Sequence, residues 1–192
     1  MGALPQARSR TLGIRMSTTH VKPLRLPAAA QRLRLPVWQR SQARLRDRYG
    51  FDLASGDVLE RARSMVAEQP GDAERVLLLA AALTVTGDRD LAEQQARRAV
   101  EIAPDLARAH TTLAALLITG ADRDTALGHA RRAAELDGGD PSVLYNLGLA
   151  EWFAGDRRKA REALRRTGDI LAKEQPGAAA RGHGWWPLRR RG

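Results

Sequence analysis

The chain has no cysteine among its 192 residues, which excludes disulfides and thiolate-held metals. Aromatic residues make up only 4%, too few for a sheet-rich core built on aromatic and β-branched side chains. No apolar run approaches the ~18–20 residues of a membrane-spanning helix. The N-terminus lacks the apolar core of a secretory signal, and Gln6 stands where a myristoylation signal needs Ser or Thr. No Gly-rich phosphate loop occurs, and no two histidines share a helix at i, i+4 spacing, so no metal site is expected. Serine is sparse, and the carboxylates fall mainly where turns and caps use them, not as an acid/base pair. The expectation is a cytoplasmic protein without cofactor, metal, small-molecule substrate or catalytic residues.

What is present is Ala, Leu and Arg. Hydrophobic residues reach 43%, enough for a core, and the dominant residue types favour helix. The net charge of +10 is unevenly placed: residues 1–56 carry +9, residues 57–169 carry −3, and residues 170–192 carry +4. The basicity therefore belongs to the ends, and the middle of the chain is mildly acidic. A high isoelectric point is no argument that this middle binds nucleic acid.

The middle repeats itself every 34 residues. Leu79-Ala80 recurs as Leu113-Ala114 and Leu147-Gly148, Ala92 as Ala126 and Ala160, and Ile102 as Leu136 and Ile170. Punctuation recurs with it: Gly87-Asp88, Gly120-Ala121-Asp122 and Gly155-Asp156 read as a helix stop followed by a helix start. The pattern predicts helical hairpins over about 72–86 with 89–102, 106–119 with 123–136, and 141–154 with 157–171. A degenerate extra pair precedes them, about Val37–Arg48 and Gly56–Gln69, closed by Pro70-Gly71. Arg40, Arg44 and Arg48 would share one face of its first helix.

These residues resemble the tetratricopeptide repeat (TPR) family, whose 34-residue unit carries a Leu-Gly pair in its first helix and a small residue in its second. The resemblance covers roughly residues 56–171, with clear repeats at about 73–106, 107–140 and 141–174. His110 and Glu151 depart from the pattern, where an apolar residue and an aromatic are usual. It implies an all-α, TPR-like α-solenoid of antiparallel hairpins, three clear repeats and one degenerate N-terminal one, over residues 37–171. Residues 1–36 are expected to be a disordered basic segment, and residues 175–192 a flexible tail ending in Trp185-Trp186 and Arg189-Arg190-Arg191.

By the same resemblance, first helices line a concave groove that takes peptides. It would present Leu77, Leu78, Ala81 and Thr84; then Thr111, Thr112, Ala115 and Ile118; then Tyr145, Asn146, Leu149, Trp152 and Phe153. This lining is mostly apolar and suits an apolar or amphipathic segment. It does not suit an acidic tail, for which only Arg108 and Asn146 stand ready. Trp152 and Phe153 read either as interface anchors or as core under the last helix. His110 reads as a core residue and His129 as solvent-facing.

The expected function is a non-catalytic adaptor or assembly factor that holds a protein or peptide partner. The alternative is a peripheral factor that binds anionic membrane or nucleic acid through its basic ends, with the repeats as spacer. A third arrangement places residues 21–38 (Leu24, Leu26, Leu33, Leu35, Trp38) or the C-terminal tail inside the groove.

Overall fold

The structure, a computed structural model, describes residues 26–118, 120 and 122–174. Within them the chain forms eight helices: α1 (Ala28–Tyr49), α2 (Val58–Glu68), α3 (Ala73–Thr86), α4 (Arg89–Ile102), α5 (Ala107–Leu117), α6 (Arg123–Leu136), α7 (Pro141–Phe153) and α8 (Arg157–Glu174). The described residues contain no strand. From α2 onward each helix packs on the next, giving an all-α, TPR-like solenoid.

The starts and stops are local chemistry. The carboxylates of Asp72, Asp122, Asp140 and Asp156 each accept a backbone N–H from the first turn of α3, α6, α7 and α8. Asp88 holds the same place before α4 without such a bond. Gly87 and Gly155 end α3 and α7 with φ of +94° and +96°, a conformation that costs residues with a Cβ. Gly120 has no positive φ.

The small residues on the 34-residue period let the paired backbones approach. Ala80, Ala92, Ala114 and Ala160 are fully buried, and Ala126 nearly so. At Gly148 a Cβ would lie 2.7 Å from Cγ of Leu164. Ala126→Leu is therefore expected to overpack the α5–α6 contact and lower stability by about 1–3 kcal/mol. On the same helix Gly128 is exposed, with nothing within 4 Å of an added Cβ. Gly128→Ala should gain about 0.5–1 kcal/mol. Urea unfolding of the two variants beside the parent checks both signs.

A second periodic device joins the repeats. The guanidinium of Arg98 donates to the Pro70 carbonyl (2.7 Å), that of Arg132 to Asp105 (2.8 Å) and that of Arg166 to the Gly138 carbonyl (3.1 Å). Each arginine late in a second helix thus ties it to the turn preceding its own repeat.

The first helix differs from expectation in two ways. It begins at Ala28, so residues 28–36, expected to be disordered, are helical in spite of Pro36. The reason is tertiary. Ala30, Leu33 and Val37, at i, i+3 and i+7, are buried against α7 and α8, and this outweighs the lost backbone bond at the proline. The second difference is pairing. The backbone of α1 makes no close approach to α2 or α3 and lies beside α7 and α8, so only the second helix of the degenerate repeat joins the stack.

Candidate inner-face site

The solenoid has an inner side. The backbones of α3, α5 and α7 approach one another in succession, whereas those of α2, α4, α6 and α8 make no such close approach among themselves. The stack is therefore tighter along α3, α5 and α7, and this side is called inner.

Helix α1 lies across α7 and α8 at the end of the stack. It is 22 residues long, about 33 Å at 1.5 Å per residue. Its successive contacts with α7 run in the opposite chain sense. Near its start the Tyr145 hydroxyl donates to the Ala30 carbonyl (3.3 Å). Further along, Ser41 meets Ser142 (Oγ–Oγ 3.2 Å). Arg44 then reaches Asp140 at 2.6 Å, and Arg40 reaches both Asp140 (3.4 Å) and Glu174 (2.8 and 3.0 Å). Past this point Arg48 lies 3.9 Å from Glu74 on α3, and Glu74 pairs with Arg108 on α5. The helix stops at Gly50, in the left-handed conformation, whose N–H donates to Arg46. Phe51 then turns inward to pack with Leu45, Val58, Ala62, Leu78 and Ala82.

Of residues 21–38, Leu26 and Leu33 pack on the α7–α8 cluster. Leu35 and Trp38 stay 58% and 51% exposed. Leu24 and the C-terminal tail from residue 175 lie outside the described residues.

The expected groove residues separate by burial. Leu77 and Leu78 are core: the first packs with Val66, Val76 and Ala109, the second with Phe51 and Val58. Ile118 is core as well, in the cluster of Leu113 and Leu117. These three are corrected from groove to core, because α2 and the adjoining hairpin cover them. Tyr145 is buried under α1. Ala81, Thr111, Thr112, Asn146, Leu149, Trp152 and Phe153 are half-buried, and Thr84 and Ala115 are exposed. The hydroxyls of Thr84, Thr111 and Thr112 donate to the carbonyl four residues back, and Asn146 does so through its amide. Arg157 stacks over the Trp152 ring at 3.6 Å, and Arg123 stands 5.8 Å from that of Phe153.

The polar residues around α1 include Glu74 and Ser142, which the family pattern did not single out, beside Arg108, which it did. Glu74, Arg108 and Ser142 are spaced by 34, one place into each first helix, and this recurrence is the signal that would have found them. Asp140 is buried and faces both Arg40 and Arg44. Burial pushes its carboxyl up, but the Ser142 N–H together with Arg44 and Arg40 pull it further down, so it lies below the usual aspartate value.

Glu151, the departure from the aromatic pattern, is buried and paired in a fork with Arg131 of α6 (3.0 and 3.3 Å). His110 is buried as expected. His129 is half-buried and meets it across the hairpin, Nδ1 to Nδ1 at 2.9 Å, while Nε2 of His110 lies 2.9 Å from the Pro104 carbonyl. With His110 donating to Pro104, its Nδ1 accepts from His129. Burial, then the neighbouring His110 and Arg97, lower the His129 pKa against the opposing pull of Asp122. A histidine whose folded pKa is lowered stabilises fully above its unfolded value, near pH 6.5, and that contribution is lost as pH falls through the folded value. Stability should accordingly decline on acidification below about pH 6.5, and His129→Gln should flatten the slope in urea titrations at stepped pH.

No family model and no curated protein sequence matches the chain. Solved structures do. A crystal structure of MamA aligns with a TM-score of 0.52 at 15% identity, covering 80% of this chain and 99% of that one. A mutant of the Thermobaculum terrenum O-GlcNAc transferase aligns with a TM-score of 0.51 at 22% identity, over 78% of this chain and 27% of that enzyme. At such identities the likeness establishes the TPR-like helical-repeat fold, and that fold alone.

Proposed function

We propose that the chain is a non-catalytic scaffold that docks an apolar or amphipathic segment of a protein partner on its inner face. The observation that carries this reading is α1 itself. A helix already lies on Ser142, Tyr145 and Leu149, with Ala30, Leu33 and Val37 inward and with Arg40 and Arg44 on the Asp140 carboxylate. The fold supports it too, since stacked hairpins leave an extended curved surface and few convergent polar groups. Thr84, Ala115 and the half-buried Trp152 remain as lining that a partner touches without unfolding the stack.

A photo-cross-linking residue at Ala115 should capture the partner, and one at Glu135 on the outer helix α6 should not. Capture from Ala115 should persist between about 50 and 200 mM salt. The alternative reading, tail-driven binding to anionic lipid or nucleic acid, rests on the +9 and +4 charge of the chain ends. It predicts a steep loss over the same salt range. Labelling that is equal from both sites, or that vanishes with salt, would sink the inner-face reading.

A further inference from the structure

The surface that receives α1 is made about a hundred residues further along the chain, and it has two parts. Tyr145, Leu149, Leu164 and Leu171 form an apolar floor, and Asp140 and Glu174 form an anionic end. Helix α1 answers with Ala30, Leu33 and Val37, then Arg40 and Arg44. The complement is thus a helix with a two-turn apolar stripe followed by two arginines four residues apart.

The fit of α1 is incomplete in ways that leave this surface untouched. Gln42 is 3% exposed, yet neither its amide oxygen nor its amide nitrogen has a hydrogen-bond partner. A buried amide left unbonded destabilises the docked state. Pro36 removes a backbone bond from the middle of the helix. Leu35 and Trp38 remain largely in solvent. On these grounds a helix with the same stripe and arginines, free of Gln42 and Pro36, should bind the same floor better than α1 does.

We propose that the α7–α8 face, with Asp140 and Glu174 as its anionic end, is the docking site for a cationic amphipathic helix of a partner protein, and that α1 is the resident occupant this helix displaces. The proposal rests on the scaffold reading above and adds its location and the chemistry of its ligand. A site that is filled most of the time binds its ligand more weakly by the fraction of molecules that are open, so α1 sets the threshold for capture.

The probe is a fluorescent synthetic peptide of residues 26–49 carrying Pro36→Ala and Gln42→Met, titrated by anisotropy against the full-length chain. Relative to the parent, Arg40→Ala with Arg44→Ala should loosen α1 and tighten peptide uptake about tenfold. Adding Asp140→Asn to that opened chain should weaken uptake about tenfold or more. In the otherwise unchanged chain, Gln42→Met should raise the melting temperature and weaken uptake at least about fivefold. A peptide with both arginines replaced by glutamate should not bind.

Uptake indifferent to Asp140→Asn, or unchanged by Gln42→Met, overturns the proposal. If the double-alanine chain loses its cooperative melt, the Gln42→Met comparison decides, since that variant is no less stable than the parent. Peptide binding that ignores Asp140→Asn but disappears with Ala115→Arg removes this site and leaves the scaffold reading standing. No uptake in any background overturns this proposal, while the scaffold reading stands or falls with the Ala115 cross-link.

Discussion

Phe51→Ala should cost about 3–5 kcal/mol, the largest loss expected from any truncation between the first two helices. The side chain is 1% exposed and is among the largest that the fold buries completely. It sits just past the left-handed Gly50, where the chain leaves α1, and packs with Leu45 before it and with Val58, Ala62, Leu78 and Ala82 beyond it. One ring therefore joins α1, α2 and α3, and its removal leaves a cavity that three separate elements would have to close. Repeat stacks transmit such damage mainly to nearest neighbours. Hydrogen exchange should consequently quicken in α2 and the last turns of α1 well before it does in α6. Phe51→Leu, which keeps most of the volume, should lose much less. A urea midpoint for Phe51→Ala within about 1 kcal/mol of the parent would show that the cluster collapses around the gap or is not formed.

The repeat period locates α2 through α8 because the information is local. Each start has an aspartate or a proline at hand, and each close contact has an alanine or glycine on the 34-residue step, as at Ala92, Ala126 and Ala160. The polar inner-face set of Glu74, Arg108 and Ser142 was equally legible, because it obeys the same period. Arg40, Arg44 and Arg48 could be read as one basic face, and all three do reach carboxylates. Their partners could not be read. Arg40 and Asp140 stand a hundred positions apart, and no helical period connects them. Pro36 also reads as a helix boundary when propensity is considered alone. Only the burial of Ala30, Leu33 and Val37 on a distant pair of helices keeps the helix continuous through it. Leu77, Leu78 and Ile118 were misplaced for a related reason. A family groove is defined by positions in a unit, whereas exposure depends on which neighbouring elements close over those positions.

Asp140→Asn should release α1 while leaving the solenoid folded. Asparagine caps a helix about as well as aspartate, so the acceptor for the Ser142 N–H survives and only the charge is lost. That charge is 4% exposed and faces Arg44 at 2.6 Å and Arg40 at 3.4 Å. Removing one member of a fully buried pair costs about 3–5 kcal/mol, but Arg44 is 37% and Arg40 23% exposed and both can rehydrate, so about 1–3 kcal/mol is expected. The loss falls on α1 docking, because the rest of α7 keeps its neighbours α6 and α8. Helix α1 carries six arginines, and trypsin should cut among them about tenfold faster or more in the variant. Asp72→Asn is the control: it alters a cap of the same kind that makes no bond to α1, and cutting there should not change. Acid should reproduce the effect in the parent. The Asp140 carboxyl has a folded pKa below its unfolded value, so its contribution is complete above about pH 4 and is lost as pH falls through the folded value. Hydrogen exchange in α1 should therefore converge between parent and Asp140→Asn at strongly acid pH and diverge at neutral pH. Equal protection of α1 in the two proteins at neutral pH would mean that the apolar floor of Tyr145, Leu164 and Leu171 holds the helix unaided.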